Sequence, residues 1–308
     1  MEAPRVYPSQ SGAPLDLVVV GAASRDVTSD DARGWRLGGS ATYCSLTAAR
    51  LGLRVGCVLG VDAAASNAAE LSLLEESGVD LRRVLLDRGP VFENLESDGH
   101  RRQHWLSKCD PIPADALPRE WQGVHGWLLA PVAGELAEGW SSVPRPGTAI
   151  GIGWQGMLRE FAGDGWVQRV GPKPSSLLEA AGLLSASVDD LPAGTALPEL
   201  RTLAPLATIV LTASHRGGIV IRVSGMSRYP AIPATTVVDP TGAGDVFLAA
   251  LMVAWLSRGE LATSRVLRFA AAAASCVVEG VGLVAVPTAG QVAERLDEIS
   301  GVATNDPS

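Results

Sequence analysis

The stretch 237–256, VVDPTGAGDVFLAALMVAWL, restricts the possible folds of this chain more than any other part of it. Its apolar run from residue 246 onward is too rich in Ala, Leu and Met for a strand and indicates a buried helix. The GAGD string at 242–245 precedes that run, so we expect it to form the first helical turn. Amides in a first turn have no partner within the helix, and the helix dipole adds partial positive charge there. Because the residues are small, an anion can approach those amides closely.

Asp245 ends the GAGD string, where its carboxylate can accept a proton from a substrate hydroxyl. A general base beside an anion-binding turn is what phosphoryl transfer to an alcohol requires. We therefore expect Asp245 to be the catalytic base and the amides of Gly242, Ala243 and Gly244 to stabilise the transferring group. The alternative is structural: a glycine-rich helix start followed by an acidic residue that the dipole favours.

The complete string Asp-Pro-Thr-Gly-Ala-Gly-Asp at 239–245 closely resembles the C-terminal signature of the ribokinase-like (PfkB) family of carbohydrate and nucleoside kinases. The resemblance implies an α/β fold with a doubly wound, mostly parallel sheet flanked by helices, and a small β lid. It also implies ATP as the phosphoryl donor, Mg²⁺, and a monovalent cation such as K⁺. Strand and helix patterns alternate from residue 15 to about 287, which agrees with such a fold.

The composition restricts the class of protein and its partners. The chain has 308 residues, of which 47% are hydrophobic and 19% charged, so it can bury a large core. The net charge of −8 argues against a nucleic-acid-binding or anionic-membrane surface. The four cysteines have no paired spacing, which is typical of reduced thiols. We expect a cytoplasmic protein that acts on a small molecule.

A single kinase domain is expected over residues 15–300, between a disordered tail at 1–14 and a second tail at 301–308. The resemblance places the lid at about 27–37 and 88–108. Asp98-Gly99 lies between two short extended runs there, which is a hairpin signal. If the protein is a homodimer, we expect an exposed lid strand to pair between the subunits.

The acceptor site is expected near the end of the first strand. Asp26 follows the apolar run LDLVVVGA, and ligands of open α/β sheets bind at the carboxyl ends of the strands. Gly38-Gly39 opens an Ala-rich helix, so a ligand can lie against the backbone there. The resemblance makes Asp26, Gly38 and Gly39 substrate-binding residues. It also assigns Tyr43 to the substrate, at a position where many family members that act on sugars carry Asn.

The donor site is expected in the second half of the chain. Thr212 and Gly217 match the family's Thr-x-Gly-x-x-Gly loop beside the nucleotide, and Arg216 in that loop is placed to meet a phosphate. Thr241 of the signature is assigned to the nucleotide as well. Asp190 lies where the family carries a Glu that holds the water shell of the metal, and an acidic helix cap is the alternative for it.

The string Gly-Ile-Gly-Trp-Gln-Gly at 151–156 matches the dinucleotide fingerprint Gly-x-Gly-x-x-Gly. No second strand ending in an acidic residue follows at the right distance, so a dinucleotide-dependent oxidoreductase is a distant alternative. A better interpretation is the family's Gln-Gly-x-x-Arg motif, here from Gln155 to Arg159.

The sequence therefore favours a kinase that transfers the γ-phosphoryl group of ATP to a hydroxyl of a sugar or sugar-like polyol. A nucleoside kinase with the same fold is the alternative, since Tyr43 and Trp35 offer rings that could stack on a base. A catalytically weak ligand-binding or regulatory homologue is a second alternative, because several family positions are altered. The substrate itself is not specified by the sequence.

Overall fold

The computed structural model describes residues 14–97 and 100–303. Residues 1–13 of the expected N-terminal tail and the Asp98-Gly99 turn lie outside them. In chain order the strands are β1 (Leu17–Ala22), β2 (Ser24–Val27), β3 (Trp35–Gly38), β4 (Val55–Val61), β5 (Asp80–Leu85), β6 (Val91–Ser97), β7 (His100–Ser107), β8 (Gly126–Leu129), β9 (Ala149–Gly153), β10 (Arg159–Phe161), β11 (Val167–Arg169), β12 (Leu183–Ser187), β13 (Thr208–Thr212), β14 (Gly218–Arg222) and β15 (Gly225–Tyr229). The helices are α1 (Ser40–Arg50), α2 (Glu70–Glu76), α3 (Ser176–Ala180), α4 (Leu200–Leu203), α5 (Ala243–Arg258), α6 (Ser264–Val277) and α7 (Ala289–Ala303).

The main sheet has nine strands in the order β15-β14-β13-β12-β9-β8-β1-β4-β5. The pairs from β5 across to β13 are parallel, and β14 and β15 are antiparallel strands at one edge. The central strand β1 has the sequence LVVVGA and is buried along its length, as expected for a parallel strand covered on both faces. The sheet turns back at β1, since β4 lies on one side of it and β8 on the other. Ligands bind at the carboxyl ends of strands at such a switch point.

Both faces of the main sheet are covered. Leu17 and Val19 of β1 point to a core shared with α1, α2, α5, α6 and α7. Val18 and Val20 point to a second core shared with α3, α4 and several short 3₁₀ turns. The doubly wound, mostly parallel α/β fold expected from the sequence is thus confirmed.

A separate four-stranded sheet has the order β3-β2-β6-β7. The segments expected to form the lid, about 27–37 and 88–108, contribute β3, β6 and β7 to it, and β2 begins slightly earlier at Ser24. We call it the small sheet. The hairpin β10–β11 is a third pairing that the sequence analysis did not expect.

Glu135 joins two strand ends in the interior. Its fully buried carboxylate accepts backbone N–H groups of Ala22 at 2.9 Å, Val132 at 3.0 Å and Ala133 at 2.8 Å. Ala22 ends β1 and Val132 follows β8, so one side chain fixes the carboxyl ends of neighbouring strands. Burial raises the pKa of Glu135, and the three amide donors oppose that shift.

The C-terminal helix is longer than expected. The helix α7 continues to Ala303, so three residues of the tail expected at 301–308 are helical. Residues 304–308 lie outside the described part. Among the described residues, no helix is both long and apolar enough to span a bilayer.

Candidate active site

A cavity of about 1110 Å³ opens at the carboxyl edge of the main sheet. Its lining comes from the segments that follow β1, β8, β9, β12 and β13, together with the small sheet, the β10–β11 hairpin, α6 and the start of α5. The volume slightly exceeds the range of about 300–1,000 Å³ that is common for small-molecule pockets. The cavity is therefore large enough for two ligands side by side.

The start of α1 brings the expected acceptor residues together. Asp26 and Gly39 line the cavity, and Ser24 Oγ donates to Asp26 Oδ1 at 3.0 Å. Gly39 has φ 103° and caps α1; a Cβ atom there would lie 2.5 Å from the Ala22 carbonyl oxygen. Gly38 is not among the lining residues, but a Cβ atom on it would lie 2.3 Å from Asp26 Oδ2. Gly38 thus makes room for the carboxylate rather than for a ligand.

The start of α5 has the geometry that the sequence indicated. Gly242 is the N-cap with φ 80°, in the left-handed region that favours glycine. A Cβ atom on Gly242 would lie 2.3 Å from Cε1 of Tyr43. Tyr43 is buried, with 2% of its surface exposed, and its ring packs against the turn while still bordering the cavity. Burial, followed by the charge of Asp26, raises the pKa of Tyr43, so the phenol stays neutral.

The first-turn amides of α5 are only partly engaged. The amide of Ala243 donates to the Pro240 carbonyl at 3.3 Å. Within residues 14–97 and 100–303, the amides of Gly242 and Gly244 make no backbone hydrogen bond. Gly244 is exposed to the cavity, and, apart from its chain neighbours and the backbone of its own helix, no described atom lies within 4 Å of where its Cβ would be. An anion can therefore approach the first turn at Gly244.

Asp245 lies at the junction of the two helix starts. It is half-buried, lines the cavity and accepts a hydrogen bond from Ser40 Oγ through its Oδ1 atom. Cys44 Sγ donates to the backbone carbonyl of Asp245 at 3.5 Å. Burial raises the pKa of Asp245 to about 6, against the hydrogen bond from Ser40 and the charge of Arg159, which lower it. A carboxylate with that pKa is ionised at neutral pH and is more basic than an ordinary aspartate.

Of the four residues expected at the donor site, three line the cavity and one does not. Thr212, Gly217 and Thr241 line the cavity. Arg216 is exposed and is not among the lining residues, so the structure does not bring it to the cavity; its neighbour His215 is there instead. The loop thus borders the cavity, and its role in binding the donor stays a prediction.

Asp190 lines the cavity, and both of its carboxylate oxygens are engaged. Oδ1 accepts from Gln155 Nε2 at 3.0 Å, and Oδ2 accepts from the Ser187 amide at 2.9 Å in a capping box. This is the acidic cap that the sequence left open as the alternative. In the part of the chain that the structure describes, no group of three or more His, Cys, Asp or Glu side chains could hold a metal ion.

Comparison with known proteins agrees with this geometry. The family model described as pfkB family carbohydrate kinase matches residues 177–289, which include the GAGD turn. A nucleoside kinase of Methanothermobacter thermautotrophicus is 28% identical in an alignment of 283 residues that covers 84% of this chain and 84% of the relative. The resemblance to the ribokinase-like (PfkB) family is confirmed.

Solved structures of ribokinase-family kinases share the whole fold. A pyrophosphate-dependent kinase of this family, complexed with a pyrophosphate analogue and myo-inositol, matches with a TM-score of 0.70 and 18% identity, covering 92% of this chain and 99% of the other. Arabidopsis thaliana ribokinase, complexed with ribose and ATP, matches with a TM-score of 0.65 and 21% identity over 92% and 99%. The solved relatives therefore differ in both donor and acceptor.

Several residues that line the cavity were not singled out from the sequence. Ser40 contacts Asp245 across 205 positions of the chain, so no local pattern could reveal the pair. Arg159 ends the Gln-Gly-x-x-Arg motif and was noted only as part of it. The β10–β11 hairpin had a usable signal, since Gly163-Asp164-Gly165 separates two short extended runs.

The structure argues against two of the alternatives that the sequence raised. Trp35 does not line the cavity, because its ring packs under the guanidinium groups of Arg33 and Arg25 at 4.5 Å and 5.6 Å. The glycines of the 151–156 string serve packing rather than a dinucleotide. A Cβ atom on Gly156 would lie 2.1 Å from the Pro131 carbonyl oxygen, and the string runs into a 3₁₀ turn instead of a helix.

Proposed function

We propose that this protein is a kinase that transfers the γ-phosphoryl group of ATP to a hydroxyl of a sugar or sugar-like polyol. The observation that carries the proposal is the Asp245 carboxylate beside the open amide of Gly244, in a cavity with room for donor and acceptor. A half-buried base and an anion-binding turn at one point are the two groups that phosphoryl transfer to an alcohol needs.

The proposed reaction converts R–OH and ATP into R–OPO₃²⁻, ADP and one proton. Asp245 accepts the hydroxyl proton while the hydroxyl oxygen forms a bond to the γ-phosphorus. The bond from that phosphorus to the β,γ-bridging oxygen breaks, and ADP leaves with the electron pair. The Gly244 amide and the positive charge of Arg159 stabilise the negative charge on the transferring group, as positioned dipoles and cations do in such transition states.

The donor is proposed to be ATP rather than pyrophosphate, because part of the cavity is apolar. Small or apolar side chains of α6 and of the segment before α5 line it, including Ala271, Ala274, Val278 and Ile232. A nucleobase can lie against such a surface, whereas pyrophosphate has no group that needs it. Thr212, Gly217 and Thr241 are proposed to border the nucleotide, since they line the same cavity.

Mg²⁺ is proposed to bind chiefly through the nucleotide phosphates. Asp189 and Asp190 line the cavity side by side, and one or two carboxylates plus substrate phosphates is the donor set that Mg²⁺ usually takes. Bound there, the ion would neutralise phosphate charge. A monovalent cation remains an expectation from the family alone.

The acceptor is proposed to lie between Asp26, Gly39 and the small sheet. Asn94 and Gln103 of β6 and β7 line this part of the cavity, and Gln103 Nε2 donates to Asn94 Oδ1 at 3.1 Å. Amide and carboxylate side chains suit the many hydroxyls of a polyol. Asp26 can accept from a ring hydroxyl while Asp245 accepts from the reacting one.

A nucleoside acceptor is the second candidate. The relative that matches over 84% of this chain is a nucleoside kinase, and the rings of Phe92 and Trp166 line the cavity, where a base could stack. The ring of Tyr43 is less suited, because it is packed against Gly242.

A substrate panel tests the proposed function. Purified protein is incubated with ATP and Mg²⁺ and with sugars, inositols or nucleosides in turn, and ADP formation is measured against a reaction without acceptor. We expect acceptor-dependent ADP and a phosphate ester with at least one sugar or polyol. Turnover with nucleosides alone would favour the second candidate. Binding without ADP formation across the whole panel would contradict a kinase and favour a ligand-binding homologue.

A further inference from the structure

The β10–β11 hairpin is fixed to the small sheet and extends the cavity wall. The Trp105 amide donates to the Gly165 carbonyl at 2.8 Å, and Trp105 Nε1 donates to the Ala162 carbonyl at 3.2 Å. The ring of Phe161 packs edge-on against Trp105, with centroids 5.5 Å apart, and lies 6.2 Å from Phe92. The hairpin and strands β6 and β7 thus form one wall over the cavity.

The charged residues with which this wall borders the cavity are all arginines. Arg102 of β7 and Arg159 and Arg169 of the hairpin line it, together with Asn94, Gln103 and other uncharged residues. The cavity-lining acids, Asp26, Asp189, Asp190 and Asp245, all lie on other segments. Asp26 lies on β2, which pairs with β6, whereas the other three acids follow β12 or begin α5. The positive charge of the cavity lining is therefore concentrated on this wall.

The arrangement of the arginines suits an anion. Arg159 and Arg169 are directly opposite each other in the antiparallel pair, where like charges destabilise a sheet. The guanidinium of Arg102 lies 3.9 Å from the centroid of Trp166, which orients it. Among the residues whose side chains the structure describes, Arg169 makes no ion pair. A bound anion would offset the repulsion of the opposed pair.

We propose that the acceptor of this kinase carries a phosphate or carboxylate group, which Arg102 and Arg169 bind while Asp245 faces the reacting hydroxyl. The inference rests on the proposed function and names its substrate class. Arg159 lies between the proposed anion site and the proposed base. It is the cross-strand neighbour of Arg169, and its charge acts on Asp245. Cβ atoms of such neighbours are about 4.5–5.5 Å apart, so a single sugar-sized molecule can reach both places.

Matched pairs of acceptors test the proposal. The pairs are a hexose and its 6-phosphate, a hexose and the corresponding hexonate, and myo-inositol and an inositol monophosphate. We expect the anionic member to have at least a tenfold higher kcat/KM, and the phosphate and carboxylate arms to show which anion is preferred. Equal or better turnover of the neutral members would overturn the proposal and leave the kinase function standing.

Variants identify the binding group. A hydrogen bond to a charged partner is worth about 1.5–3 kcal/mol, so Arg169→Gln should lower kcat/KM for the anionic acceptor about 10- to 100-fold. The KM for ATP and kcat/KM for the neutral acceptors should change much less than kcat/KM for the anionic ones. Arg119→Gln, which removes an exposed arginine that does not line the cavity, is the control. A rise in the KM for ATP instead would assign the arginine to the donor and overturn the proposal.

Calorimetric titration of the protein with the same acceptor pairs, in the absence of ATP, measures binding without requiring turnover. The dissociation constant of the anionic member should rise with ionic strength in the wild type and less so in Arg169→Gln. Absence of ADP formation with every acceptor would contradict the proposed function, and the calorimetric result would still decide whether the wall binds anions. Equal affinity for charged and neutral members would overturn the inference.

Discussion

Replacing Ser40 by Ala should change the proton affinity of the proposed base. Ser40 Oγ donates to Asp245 Oδ1 and lowers the pKa of that carboxyl, which burial raises to about 6. A hydrogen bond to a charged group contributes about 1.5–3 kcal/mol, and 1.36 kcal/mol corresponds to one pKa unit. Loss of the hydroxyl should therefore raise the pKa of Asp245 by about one to two units, to about 7–8.

A higher pKa of Asp245 should move the acid limb of the pH profile to higher pH. A base must be ionised to accept the proton, so kcat/KM should rise with pH through the pKa of Asp245 in the free enzyme. The wild type should reach half of its plateau near pH 6, and Ser40→Ala about one to two units higher. At pH 7 the ionised fraction of Asp245 would fall from about 0.9 to between about 0.5 and 0.1.

The assay is steady-state ADP formation from pH 5 to 9 with an acceptor identified in the panel. Ser40→Thr, which keeps a hydroxyl, should restore the acid limb of the profile toward the wild-type position. Ser45→Ala is the matched control, because Ser45 lies in the same helix and donates to the Ala41 carbonyl at 2.5 Å instead. If Ser40→Ala lowers activity equally at all pH values, the hydroxyl does not tune the base and the reasoning is refuted.

Three further predictions concern the turn, the core and the donor. Gly242→Ala should lower the free energy of unfolding by about 1–3 kcal/mol in denaturant titrations, because its Cβ would meet the Tyr43 ring. Gly244→Ala is the control, since the space beside Gly244 is open and its free energy of unfolding should not change. Equal losses in the two variants would contradict the packing argument. Glu135→Ala should lower the free energy of unfolding by about 3 kcal/mol or more, since three backbone amides lose their acceptor. A loss below about 1 kcal/mol would show that water replaces the carboxylate. Ala274→Phe should raise the KM for ATP about tenfold by filling the apolar surface, and an unchanged KM would place the nucleobase elsewhere.

Local patterns in the sequence were sufficient to predict the fold and the backbone turns that border the cavity before α1 and α5. The β-branched run at 17–22, the glycine pair before α1 and the GAGD turn before α5 each fix their own backbone through short-range effects. These effects are strand propensity, the left-handed φ of Gly39 and Gly242, and a helix start. Because parallel strands place their carboxyl ends at one edge, Asp26 and Thr212 could be predicted to border the same cavity.

The contacts that tune the site could not be predicted in this way, because they join distant parts of the chain. The hydrogen bond from Ser40 to Asp245 depends on how α1 and α5 pack, and the bond from the Ala22 amide to Glu135 depends on how β1 lies beside β8. The sequence also could not show which side chains of the 212–218 loop reach the cavity: His215 is among its lining residues and Arg216 is not. The arginines of the β10–β11 hairpin line the same cavity as Arg102 only because that hairpin docks on β7.

The central claim is that Asp245 is the general base of a phosphoryl transfer, and Asp245→Asn tests it most directly. The amide retains the size of the side chain and can still accept from Ser40, so ATP binding and thermal stability should be unchanged. General base catalysis contributes about 10²–10⁴-fold, so the rate of phosphate-ester formation in a single turnover should fall by that factor. A rate within about threefold of the wild type would contradict the assignment of Asp245 as the general base.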